Sequence, residues 1–122
     1  MVTDARCQGE ALSLVEEQAY QLSRVAIAMD QARATGGLGS PGLTSALQEN
    51  LMVWIAIRTM VQRIDCSLSP ETKRNLVDLG NFMADRTFDP QGLQDKTLDL
   101  IININLQICE GLLEGEKRAR GG

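Results

Sequence analysis

Asparagine and tryptophan side chains stand inside apolar helical stretches of this chain, where their polar groups need partners. Asn105 lies in the segment LDLIININLQICEGLL, residues 98–113, and Asn50 precedes the only tryptophan, Trp54, by four residues. Residues four apart share one face of a helix. Asparagine is disfavoured in a helix interior because its short side chain competes for backbone hydrogen bonds. The pattern predicts either buried polar contacts that lock helices together or contacts with a partner.

Both interpretations stay open, although we favour core packing for Trp54 and a structural hydrogen bond for Asn105. Tryptophan is also enriched at binding hot spots. Gly111 costs its helix about 1 kcal/mol relative to alanine, which predicts either a close helix approach or the start of the helix end. The candidate partner-binding residues are Tyr20, Asn50, Trp54, Ile101, Asn105, Ile108 and Leu112.

Catalytic and nucleic-acid chemistry find little support in the sequence. There is no histidine, which removes the commonest general base and metal ligand. The glycines between residues 36 and 42 lack the Gly-Lys-Ser/Thr ending of a phosphate-binding loop. We therefore predict no enzymatic activity, no metal and no cofactor. A net charge of −4 disfavours direct nucleic-acid binding, and the basic run at 117–120 is short.

Cysteine usage and the N-terminal residues predict the compartment. Cys7, Cys66 and Cys109 are widely spaced and form no CxxC pair, which favours reduced thiols over a disulfide framework. The first ten residues, MVTDARCQGE, lack the apolar run of a signal peptide. No apolar stretch reaches the length of a membrane span. We expect a cytoplasmic protein without membrane insertion.

The composition and periodicity predict a helical fold. Only 3% of the 122 residues are aromatic, so the core must use Leu, Ile, Val, Met and Ala, which suits helix packing. Apolar residues recurring at steps of three and four predict one all-α domain over residues 1–122, a small bundle of about four mostly antiparallel helices. The predicted segments are helix one at 9–35, a glycine-rich loop at 36–43, helix two at 44–64, helix three at 70–86, helix four at 91–114 and a flexible tail at 115–122.

Capping residues and glycines set the predicted boundaries. Thr44 or Ser45 can cap helix two, and Ser69 followed by Pro70 starts helix three. Four glycines and a proline between residues 36 and 42 break the chain after helix one. Because this loop is the longest, we expect the first helix to be attached more loosely than the others.

Four groups of residues carry a family resemblance. They are Gln18-Ala19-Tyr20; Ala46-Leu47 with Asn50 and Trp54; Leu68-Ser69 with Leu76-Val77, Leu79 and Phe82; and Leu100-Ile101 with Ile104-Asn105, Ile108 and Gly111-Leu112. In their order and spacing these residues resemble the FlaF family, flagellar biosynthesis regulators of alphaproteobacteria. The resemblance extends from Gln18 to Leu112, and its more specific parts are the Asn/Trp pair and the Gly-Leu ending.

The resemblance implies a small helical cytosolic protein that acts in flagellin production. It implies binding of unassembled flagellin and support of flagellin synthesis or secretion, in a pathway shared with the translational regulator FlbT. An amphipathic flagellin helix laid in a helical groove would provide such binding. We expect a groove lined by helices two and four that a shift of the first helix opens. The alternative is a post-transcriptional regulator that acts through flagellin mRNA or another regulatory protein.

Overall fold

The computed structural model describes residues 12–89 and 93–121, and within them it contains helices and no strand. The helices are α1 (Leu14–Gly36), α2 (Pro41–Val61), α3 (Pro70–Phe88) and α4 (Asp95–Gly121). The predicted all-α bundle is confirmed. Residues 9–11 of the predicted helix one, residues 91–92 of the predicted helix four, Cys7 and Gly122 lie outside the described residues. Over the described ranges, none of these helices offers the long apolar stretch that crossing a bilayer requires.

Contacts between side chains show how the helices run. Ser13, just before α1, is hydrogen-bonded to Glu116 near the end of α4, whereas Arg33 near the end of α1 pairs with Asp99 near the start of α4. These two helices are therefore antiparallel. Contacts at two positions along each pair show that α1 and α2, and also α2 and α3, are antiparallel. The contacts are Arg24–Glu49 and Ala32–Gly42 for α1–α2, and Asn50–Met83 and Trp54–Gly80 for α2–α3.

The first helix lies at the centre of the packing rather than at its edge. α1 packs against both α2 and α4, and more extensively than α3 packs against α2. The prediction that helix one is loosely attached is wrong because α1 buries an apolar face along most of its length. Each valine, leucine or methionine side chain of this face contributes roughly 1.5–3 kcal/mol when fully buried. The buried apolar residues of α1 are Val15, Ala19, Leu22, Val25, Ala26 and Met29.

The glycine-rich loop is shorter than predicted because its serine, Ser40, caps a helix. α2 begins at Pro41 instead of residue 44, and the Ser40 hydroxyl accepts a hydrogen bond from the Leu43 N–H at 3.1 Å. Ser40-Pro41 thus repeats the arrangement of Ser69-Pro70, where the predicted cap is confirmed. The turn out of α1 needs glycine at residue 37, whose φ of 82° lies in the left-handed region.

The second helix ends earlier than predicted. It stops at Val61, and the N–H of Gln62 bonds to the carbonyl of Thr59 in a tightened last turn. Two isoleucines within the predicted range 44–64 are exposed. Ile55 is 47% exposed, and Ile64 lies beyond the helix end with its side chain fully in solvent.

The fourth helix continues beyond its predicted end. The expected flexible tail at 115–122 is helical as far as Gly121. The Glu, Lys, Arg and Ala residues after Gly115 are good helix formers, so two glycines do not stop the helix. The Ser13 hydroxyl also donates a hydrogen bond of 2.6 Å to Oε1 of Glu116, which ties this part of α4 to α1.

Replacing Ser40 tests the observed start of α2. We expect Ser40→Ala to lower the free energy of unfolding by about 1 kcal/mol, because it removes the side-chain acceptor for an N-terminal N–H. The matched control is Ser45→Ala, which changes an exposed residue inside α2 and leaves stability unchanged or slightly raised. Urea unfolding followed by circular dichroism measures both. The reverse order of effects would place the cap at Ser45.

Candidate partner-binding site

A buried polar node, formed by Asn50, Trp54 and Asn105, lies at the centre of the bundle. Each of these residues is at most 1% exposed. The indole Nε1–H of Trp54 donates to Oδ1 of Asn105 at 3.0 Å. Nδ2 of Asn105 donates to Oδ1 of Asn50 at 2.7 Å and to the backbone carbonyl of Leu22 at 3.2 Å. The node therefore joins α1, α2 and α4 through one amide group.

The node also contacts α3 through the amide of Asn50. Nδ2 of Asn50 contacts Sδ of Met83 at 3.5 Å, a weak hydrogen bond. Among the described residues, the only buried side-chain nitrogen or oxygen without a hydrogen-bond partner is Nε of Arg86, which lies outside the node. All four helices thus meet at one satisfied polar cluster, and such clusters favour a single packing arrangement.

The node shows where the polar residues among the predicted partner-binding residues lie in the free protein. The favoured structural interpretation of Trp54 and Asn105 is confirmed by their burial and mutual hydrogen bond. These two residues and Asn50 present no surface to a partner in this conformation, because the core encloses their side chains. Ile101, at 1% exposed, is enclosed in the same way. A partner contact through any of them remains a prediction that would require the bundle to open.

An open apolar groove lies between α3 and α4, whose backbones do not pack closely against each other. We call it the α3–α4 groove; its volume is about 440 Å³. Leu76 and Leu112, nearly buried, form its floor, and Ile108 is half-buried at its side. Two of the seven predicted partner-binding residues, Ile108 and Leu112, therefore line one surface. The other lining residues include Leu68, Thr72, Asn75, Gln107, Gly111, Gly115 and Arg118.

At two glycines of α4, no side chain covers the helix backbone where it faces this groove. A Cβ added at Gly111 or Gly115 would meet no atom within 4 Å. Both predictions for Gly111 are wrong: no helix of the described chain approaches it, and α4 continues for ten more residues to Gly121. The absence of side chains leaves space into which another helix backbone could come close.

The expected groove between helices two and four is not open in this structure, and its opening by a shift of the first helix stays a prediction. Because α1 covers that side of the bundle, the open surface lies against α3 instead. The contribution of α3, chiefly Leu76 and the polar residues Thr72 and Asn75, was missed by sequence reasoning. Tyr20 is 50% exposed on α1 and does not line the groove. The structure thus separates Tyr20 from the other surface candidates.

Polar contacts with α1 hold α4 in place at both ends. Arg33 pairs with Asp99 at 2.8 Å and with Asp95 at 3.4 Å near the start of α4, and with Asp30 on its own helix. The hydrogen bond with Asp99 is the largest of the effects that hold the pKa of Arg33 above its ordinary value. Together with the node and the Ser13 contact, these pairs fix the rotation of α4 that turns Ile108 toward the groove.

The cysteines and acidic residues form no reactive centre in the described part of the chain. Cys66 and Cys109 are unpaired thiols. Burial is the main cause that raises the pKa of Cys109, which leaves less of the nucleophilic thiolate at neutral pH. Over residues 12–89 and 93–121, no three His, Cys, Asp or Glu side chains are grouped to hold a metal ion. The geometry favours binding of an apolar surface.

Comparison with family models places the chain among flagellar proteins. A family model described as flagellar protein FlaF matches residues 5–112, which is most of the chain and includes the whole polar node. No curated protein and no solved structure matches the chain.

Replacing Asn105 tests the polar node. We expect Asn105→Leu to lower the free energy of unfolding by about 3 kcal/mol, because the Trp54 N–H and the Asn50 carbonyl oxygen would lose their partner inside the core. The control is Asn103→Leu, an exposed residue of the same helix, with an expected change below about 0.5 kcal/mol. Urea unfolding followed by Trp54 fluorescence measures both variants. Equal, small effects would show that the node does not hold the bundle together.

Proposed function

The chain belongs to the FlaF family of flagellar proteins, and on this basis we propose that it binds unassembled flagellin and supports its synthesis or secretion. One observation carries the proposal: the α3–α4 groove is apolar, open and lined by two helices that do not close on each other. Unassembled flagellin has apolar helical ends that need to be covered. A helix laid in a groove is a recurrent way to cover such a segment.

The size of the groove suits a short helical segment. Its lining residues on α4 run from Gln107 to Ala119, which corresponds to roughly 18 Å of helix axis. A partner helix of about three turns could place its apolar stripe against Leu76, Ile108 and Leu112. Part of the burial energy is lost in ordering the partner, so we expect an affinity on the order of micromolar.

Under this proposal the protein acts by binding alone, in the cytoplasm, with no enzymatic step and no cofactor. A translational regulator of the FlbT type is the second partner, and it connects flagellin binding to the control of flagellin synthesis. The competing function is a direct contact with flagellin mRNA. A salt-sensitive mobility shift of that mRNA that is lost in Arg118→Ala/Arg120→Ala would favour the competing function.

Filling the groove tests the proposed function. We expect the wild-type protein to bind monomeric flagellin with one-to-one stoichiometry in calorimetry. Gly111→Leu should weaken binding about tenfold or more, because a bulky side chain then occupies the space for the partner. The same variant should not lose stability, since it replaces a helical glycine whose Cβ position is open.

The matched control is Glu110→Leu. It places the same side chain one residue earlier, on an exposed position that does not line the groove, and should leave the affinity unchanged. If wild-type protein at concentrations well above micromolar gave no heat with correctly folded flagellin monomer, the proposed function would fail. Equal weakening by both variants would move the binding surface away from the groove.

A further inference from the structure

Exposed carboxylates border the α3–α4 groove on its α3 side. Asn75 lines the groove, and Glu71 and Asp78 lie four residues before it and three residues after it. Residues at these spacings are neighbours along one face of a helix. Both acidic side chains are exposed. Two basic residues lie on the same helix: Arg74, exposed, is three residues after Glu71 and four before Asp78, and Lys73, half-buried, is three residues before Leu76.

The α4 side carries two further carboxylates: Glu116, which lines the groove and accepts a hydrogen bond from Ser13, and Glu114. Glu114 lies three residues after Gly111 and seven after Gln107, both of which line the groove, so it stands on the same edge of α4. It is exposed. Arg118, one turn later on this edge, is the one basic residue among those lining the groove.

These carboxylates have no basic partner inside the described protein. Among the Lys and Arg side chains that the structure describes, none has a nitrogen within 4.0 Å of a carboxylate oxygen of Glu71, Asp78 or Glu114. By contrast, Arg24, Arg33 and Arg63 each have an acidic partner elsewhere on the surface. An apolar floor between edges that carry unpaired carboxylates is complementary to a helix with an apolar stripe and basic residues on either side of it.

We propose that the α3–α4 groove selects an amphipathic helix whose apolar stripe is flanked by lysine or arginine residues. This inference rests on the proposed function and specifies which flagellin segment docks: a helical segment with a basic border. The apolar floor supplies most of the affinity, and the carboxylates supply selectivity. Exposed ion pairs are weak singly and are screened by salt, so the preference depends on ionic strength.

Two synthetic helical peptides of about 18 residues test the inference, in parallel with flagellin monomer. Both carry the same apolar stripe; one has lysine at every flanking position and the other glutamate. We expect the lysine peptide to bind the wild-type chain roughly tenfold more tightly at low salt, and the difference to shrink at 0.5 M salt, about three times the physiological value. Equal affinities would overturn the inference.

Single charge removals then locate the preference. Asp78→Asn and Glu114→Gln should each weaken binding of the lysine peptide about two- to threefold. The control Glu17→Gln removes one equivalent exposed charge on α1, away from the groove, and should have no effect. An equal loss in the control would assign the preference to net charge and overturn the inference. Flagellin binding without a basic preference would refute only this inference, whereas no flagellin binding would refute the proposed function.

Discussion

The hydrogen bonds of Asn105 are the interaction on which the rest of the structure depends. This amide lies on α4 and reaches the indole of Trp54, the amide of Asn50 and the backbone carbonyl of Leu22. An apolar core alone tolerates small rotations of one helix against another, but a buried amide with three fixed partners does not, since any rotation leaves polar groups unpaired. The node therefore specifies where α4 lies relative to α1 and α2.

The position of α4 determines where the bundle is left open. Two turns beyond the node, Leu112 reaches the floor of the α3–α4 groove, and Ile108 stands between them. Over the described residues α3 packs most closely against α2, and its backbone does not pack closely against α4. The family match and the groove agree in kind, because an open apolar groove beside a polar node that joins three helices suits a binding role.

Local sequence signals predicted the four helices. The position of the groove was not predicted, because it depends on contacts between residues far apart in sequence. The periodicity gave four helices, and Ser69-Pro70 gave a correct helix start. The identical signal at Ser40-Pro41 was outweighed by four nearby glycines, although only Gly37 needs a left-handed backbone. The Asn/Trp pattern predicted buried polar contacts as one of two interpretations, and the structure shows such contacts between Trp54, Asn105 and Asn50.

The central claim is that a fixed bundle binds flagellin through the α3–α4 groove. Hydrogen–deuterium exchange of the whole chain, with and without monomeric flagellin, tests it most directly. The account predicts slower exchange in two segments, residues 67–76 and 107–119, and unchanged exchange in α1 around Leu22. Slower exchange around Tyr20 instead, or faster exchange around Asn105 as the bundle opens, would contradict it.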